Sequence, residues 1–204
     1  MKLSTHIWHL VGVGAICLTV ILLSLRQGTP SAVEGPSSES MVKGFKPGNS
    51  YFTLYYKSDP VGDVETRKSL GETGGFLYDV ITSFRLNAFG QALEIEMELH
   101  AEFDQQFGLS NLNFEMNSGD TSVSGHGVVE GQQLIISVLT GGGESTYTIP
   151  YDRDLIIGSV LGSRVTAEGL VPGDVRQLKL FDPLSQTVRK VKLTAIGYED
   201  VLIL

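Results

Sequence analysis

Four glutamates and a histidine occupy alternate positions of one short stretch, QALEIEMELHAEF: Glu94, Glu96, Glu98, His100 and Glu102. Carboxylates two residues apart on an extended chain lie about 7 Å apart on one face. That separation suits a pair of acid–base carboxylates, and it also suits a hard cation. A histidine in the same row titrates near neutral pH. No Ser, Cys or Asp motif points to His100, and the plainer reading of the row is a solvated outer face. His126, in SGHG, is the only other histidine beyond residue 9. The only cysteine is Cys17. The chain beyond it therefore offers no disulfide, no thiolate nucleophile and no cysteine-based zinc site. Gly141–Gly143, followed by Glu144-Ser145, has the glycines of a phosphate loop without its lysine or following helix, and reads as a hairpin turn. No catalytic residue, cofactor or metal is expected.

The stretch that carries the glutamates alternates with equal regularity in its apolar residues: Leu93, Ile95, Met97, Leu99, Ala101 and Phe103. Period two predicts a β-strand, since a period of 3.6 would scatter both sets around a cylinder. At about 3.3 Å per residue, this strand spans roughly 43 Å. Strands are also predicted over Ser50–Ser58, from Val61 to about Ser69, and over Phe76–Phe89. Others fall at Ser110–Asn117, Thr121–Val129, Gln132–Leu139 and Ser145–Ile149. Asp59-Pro60, GETGG at 71–75, Ser118-Gly119-Asp120, Glu130-Gly131 and the glycines at 141–143 supply the turns. Eight strands with short connections make an antiparallel meander.

Arg153–Glu168 lacks period two and reads as one short helical segment capped by Asp152 or Asp154. Asp174–Phe181 and Gln186–Ile196 read as two more strands joined by Asp182-Pro183, and Tyr198–Leu204 as the start of a last one. The expected fold is mainly β, a long-stranded meander forming a curved sheet or half-barrel. Its apolar face must be covered by closure, by a partner or by an apolar ligand. Leu93, Ile95, Met97, Leu99, Phe103, Leu112, Phe114 and Met116 are the candidate ligand face; the plainer reading is core.

Trp8–Leu25 is an uncharged apolar run flanked by Lys2 and Arg26. At about 1.5 Å per residue it spans roughly 27 Å, close to the hydrocarbon thickness of a bilayer. It reads as a single transmembrane anchor over residues 1–26, with a cleaved signal peptide as the alternative. Ile16 before Cys17 is wrong for a lipobox. Lys2 and the amino terminus favour an N-inside orientation, which places the rest outside the cytoplasm. Residues 27–49, rich in Gly, Pro and Ser, read as a flexible tether to a folded domain over 50–204. That domain carries 11 Lys and Arg against 21 Asp and Glu, a net −10, which disfavours nucleic acid as a partner.

Three segments together carry a resemblance. YFTLYYKSDPVGDVETRKS from Tyr51 reads as an opening hairpin. LNFEMNSGDTSVSGHGVVEGQQLIISVLTGGGESTYTIP follows with its Ser118-Gly119 turn, and LVPGDVRQLKLFDPLSQTVRKVKL carries Phe181-Asp182-Pro183. Over residues 50–204 the chain resembles the non-catalytic β-rich region that precedes the enzyme domain in bacterial envelope transglutaminase-like proteins. It is similar in style to periplasmic half-barrel lipid carriers. The resemblance implies a domain in the periplasm, tethered to the inner membrane, with an envelope protein or a lipid as partner. The Cys, His and Asp set of the transglutaminase-like enzymes has no counterpart here, so no catalytic role carries over. The expected function is a membrane-anchored, non-enzymatic accessory or interaction module; the alternative is a carrier or sensor of an apolar ligand.

Overall fold

The computed structural model describes residues 45–56, 58–88 and 91–197. The expected anchor at Trp8–Leu25, the tether up to residue 44 and the segment Tyr198–Leu204 lie outside them. Among the described residues no helix is long and apolar enough to cross a membrane. The chain divides into two compact units, one over Ser37–Arg153 and one whose described part starts at Asp154.

The first unit is one antiparallel sheet of eight strands in sequence order. They are β1 (Gly48–Tyr56), β2 (Asp59–Leu70), β3 (Phe76–Ala88), β4 (Gln91–Phe103), β5 (Leu109–Ser118), β6 (Thr121–Glu130), β7 (Gln133–Thr140) and β8 (Gly143–Pro150). β1 and β8 are its free edges, so the sheet is not a closed barrel. β4, the strand with the glutamate row, pairs along its whole length with β3 and over Glu96–Phe103 with β5. The expected turn at Asp59-Pro60 is displaced. Both residues lie in β2, opposite Tyr56 and Tyr55, and Ser58 carries the turn at φ 75°. Proline is tolerated there because β3 pairs with β2 only from Gly62 onward, and the β1–β2 register shifts between Leu54 and Tyr55, opposite Pro60.

Register gathers the alternating apolar residues of β4 and β5 on one side, while Leu77, Ile81 and Ile135 fall on the other. Phe76 faces Phe103, Val80 faces Leu99, Leu99 faces Phe114 and Met97 faces Met116. Phe76, Tyr78, Ala101, Leu112, Leu134 and Ile136 are fully buried on this inner side. Each fully buried large apolar side chain contributes about 1.5–3 kcal/mol. An aromatic cluster closes one end. Phe76 stacks on Phe107 at 4.2 Å between centroids, Phe45 lies 4.6 Å from Phe76, and Tyr78 meets Phe103 edge-on at 5.5 Å. Phe45 falls in the stretch expected to be linker, yet it is buried, and β1 begins at Gly48. Phe107 is held by its connection. The Asp104 Oδ1 accepts the Gln106 and Gly108 N–H groups, both at 2.8 Å, and Oδ2 meets Arg153 Nη2 at 3.0 Å.

The second unit is a three-stranded sheet in the order β11-β10-β9. β9 (Leu155–Ile157) runs parallel to β10 (Val175–Asp182), and β11 (Thr187–Thr194) is antiparallel to it. A 3-10 turn (Gly158–Val160) and helix α1 (Leu161–Glu168) form the crossover that parallel strands require. The expected cap at Asp152 or Asp154 is corrected to Val160, which has no capping side chain. The reason is β9, whose three buried residues occupy the chain after Asp154. Gly169 ends the helix in the left-handed region at φ 66°, where a side chain would be strained. Arg164 on α1 is buried and donates to Glu168 at 2.7 Å, and Arg176 on β10 lies 3.8 Å from the same carboxylate.

Candidate functional site

The sheet of the first unit separates two sets of candidate residues by pleat alone. Strict alternation sends the glutamate row to the outer face and its apolar neighbours to the inner one.

On the outer face the residues that could do chemistry are paired with one another. A polar row crosses the sheet at one level, from Asp79 through His100, Asn113, His126 and Ser137 to Thr146, each directly opposite the next. His100 Nδ1 lies 2.7 Å from Asp79 Oδ1, His126 Nδ1 lies 2.8 Å from Asn113 Oδ1, and the Ser137 and Thr146 hydroxyls are 2.9 Å apart. His100 Nε2 is 3.3 Å from Glu102. The Asp79 hydrogen bond raises the His100 pKa above its ordinary value; partial burial opposes this, and Glu102 adds to it. Carboxylates at both ring nitrogens favour the protonated ring more than in a free imidazole. A general base needs the neutral ring with a nitrogen aimed at substrate, so this geometry works against that role.

Glu94 is ion-paired with Arg85 across the strands. Glu96 and Glu98 are exposed, and Glu98 faces Glu115 directly. Farther along, the Arg67 guanidinium holds the Glu65 carboxyl below its ordinary range, and the Tyr51 hydroxyl donates to it at 3.1 Å. Among the described residues no group of three His, Cys, Asp or Glu side chains is placed to hold a metal.

On the inner face the eight candidate residues share one side. Ile95, Phe103, Leu112, Phe114 and Met116 are buried there, and Leu93, Met97 and Leu99 are half-buried. The structure adds Phe45, Phe76, Tyr78, Phe107, Leu134, Ile136 and Val138 to this core. Alternation in β3 and β7 carries the signal for most of these. Phe107 sits in a connection and Phe45 in a linker-like composition, so neither has a periodic neighbour. Phe114 lies over Gly125, its cross-strand partner, and its ring occupies the space a side chain there would need.

The second unit has a different electrostatic character. Residues 50–153 hold 5 Lys and Arg against 15 Asp and Glu, whereas residues 154–204 hold 6 of each, so the whole net −10 belongs to the first part. Lys179 on β10 faces Lys190 on β11, and Gln177 faces Lys192. Together with Asp154 they line an open hollow of about 310 Å³.

No family model, curated protein or solved structure matches the chain.

Proposed function

We propose that this chain is a membrane-anchored, non-enzymatic β-domain of the bacterial envelope that works as an accessory or interaction module. The anchor is Trp8–Leu25 in the inner membrane, and the folded units face the periplasm. The eight-stranded sheet curves as a half-barrel around its inner face. The observation that carries the reading is the pairing of the outer-face side chains. The Asp79–His100, Asn113–His126 and Ser137–Thr146 pairs use their hydrogen-bonding capacity on each other. We take this row of mutually bonded side chains as a contact surface, since function is argued from the site and not from the fold.

A second reading, a carrier or sensor of an apolar ligand, is favoured by Leu93, Met97 and Leu99. They remain half-buried on the inner face beside buried Phe114 and Met116. Native and denaturing mass spectra of the purified full chain, washed extensively in detergent, separate the two. A bare mass under both conditions supports the interaction module. A stoichiometric adduct lost on denaturation selects the carrier. Reproducible turnover of a glycosidic, ester or peptide substrate that disappears in Glu96→Gln or Glu98→Gln would overturn both.

A further inference from the structure

The four most exposed aromatic side chains of the described residues lie on one edge strand. Tyr51 is 70% exposed, Phe52 59%, Tyr55 59% and Tyr56 52%. All belong to β1, which carries no charged residue. Tyr51 faces Glu65 and Phe52 faces Val64 in register, so aromatics emerge on both faces of the edge. The opposite edge differs. β8 exposes Glu144, Thr146 and Thr148, and keeps Tyr147 and Ile149 half-buried. Edge strands in soluble proteins are usually guarded by charge, especially lysine, and β1 has no such guard.

We propose that β1 rests on the bilayer surface, with Tyr51, Phe52, Tyr55 and Tyr56 in the interfacial layer. This rests on the anchored reading above. The chain between the apolar run and the buried Phe45 comprises residues 26–44. A coil of 19 residues spans roughly 24 Å. β1 is the first strand after it and lies within reach of the bilayer. Tyrosine suits that layer, because its ring is apolar and its hydroxyl keeps a polar partner, as Tyr51 does with Glu65. An uncharged strand also suits it, because the acidic outer face behind β1 is repelled by anionic headgroups. Contact is therefore strongest on zwitterionic lipid.

The test uses the full chain with Cys17→Ser, reconstituted in phosphatidylcholine vesicles. A polarity-sensitive nitrobenzoxadiazole label is placed at Thr53→Cys on β1 or at Thr148→Cys on β8. The expected result is a blue-shifted emission at 53 that nitroxide-bearing phosphatidylcholine quenches, with neither effect at 148. Phe52→Ser with Tyr55→Ser abolishes the quenching at 53. Chain retained through an alkaline carbonate wash, with the label at 53 in water, overturns the proposal and leaves the anchored reading standing. Chain removed by the wash overturns both. A blue shift without nitroxide quenching, growing with the protein-to-lipid ratio, also overturns it and assigns the edge to pairing with a second copy.

Discussion

Gly125→Ala should loosen the centre of the eight-stranded sheet, although it adds a single methyl group. The added Cβ would lie 2.5 Å from one carbon of the Phe114 ring, in closer contact with another, and 3.0 Å from the Ser137 carbonyl oxygen. Phe114 is only 5% exposed, so its ring cannot swing aside without losing burial or pushing into neighbours. Overpacking of this kind costs about 1–3 kcal/mol. The upper half of that range is expected, because both the ring and a ladder carbonyl are in the way.

A double-mutant cycle isolates the ring. Phe114→Leu alone should cost about 1–2 kcal/mol through lost volume. In that background Gly125→Ala should cost less than about 1 kcal/mol, a coupling of about 1–2 kcal/mol between touching residues. Native-state hydrogen exchange of β5 and β6 amides in the full chain reads this unit separately from the other. An equal cost of Gly125→Ala in both backgrounds would refute the reasoning, as would no cost in either.

Glu168→Ala should destabilise the second unit by about 3–5 kcal/mol, because it leaves the buried Arg164 without its carboxylate; exchange of β10 amides checks this. Glu98→Gln should be neutral or stabilising by up to about 0.5 kcal/mol, since it removes one of two like charges facing each other across β4 and β5; urea unfolding measures it. His100 should titrate above the ordinary histidine value, and Asp79→Asn should bring it back down, as followed by the imidazole NMR shifts. Because the folded-state pKa is raised, the stabilisation is full at pH below the unfolded value near 6.5. It is lost as the pH rises through the raised value. A titration at or below the ordinary value would contradict the Asp79 contact.

The centre of the meander was legible because β4 and β5 are apolar on one face and polar on the other, so period two survives in the sequence, whereas β1 shows in its β-branched and aromatic composition. β4 is found at Gln91–Phe103, the bounds its alternation gives. β9 was not legible. Its three residues are all buried, and strands covered on both faces lose their alternation. That omission also misplaced the helix cap. Asp59-Pro60 misled because turn propensity is local, whereas tolerance of proline at that point depends on where the neighbouring strand begins. The outer-face row could be read along β4. Its extension through Asp79, Asn113, His126, Ser137 and Thr146 needed cross-strand register, which no single strand encodes. The facing Lys179 and Lys190 were hidden for the same reason.

Protease treatment of intact spheroplasts expressing the full chain tests the anchored, outward-facing reading most directly. The expected result is digestion of the folded units from outside, leaving a short fragment containing Trp8–Leu25 that resists carbonate extraction. Full-length chain that survives in intact spheroplasts and is cut only after lysis would contradict it.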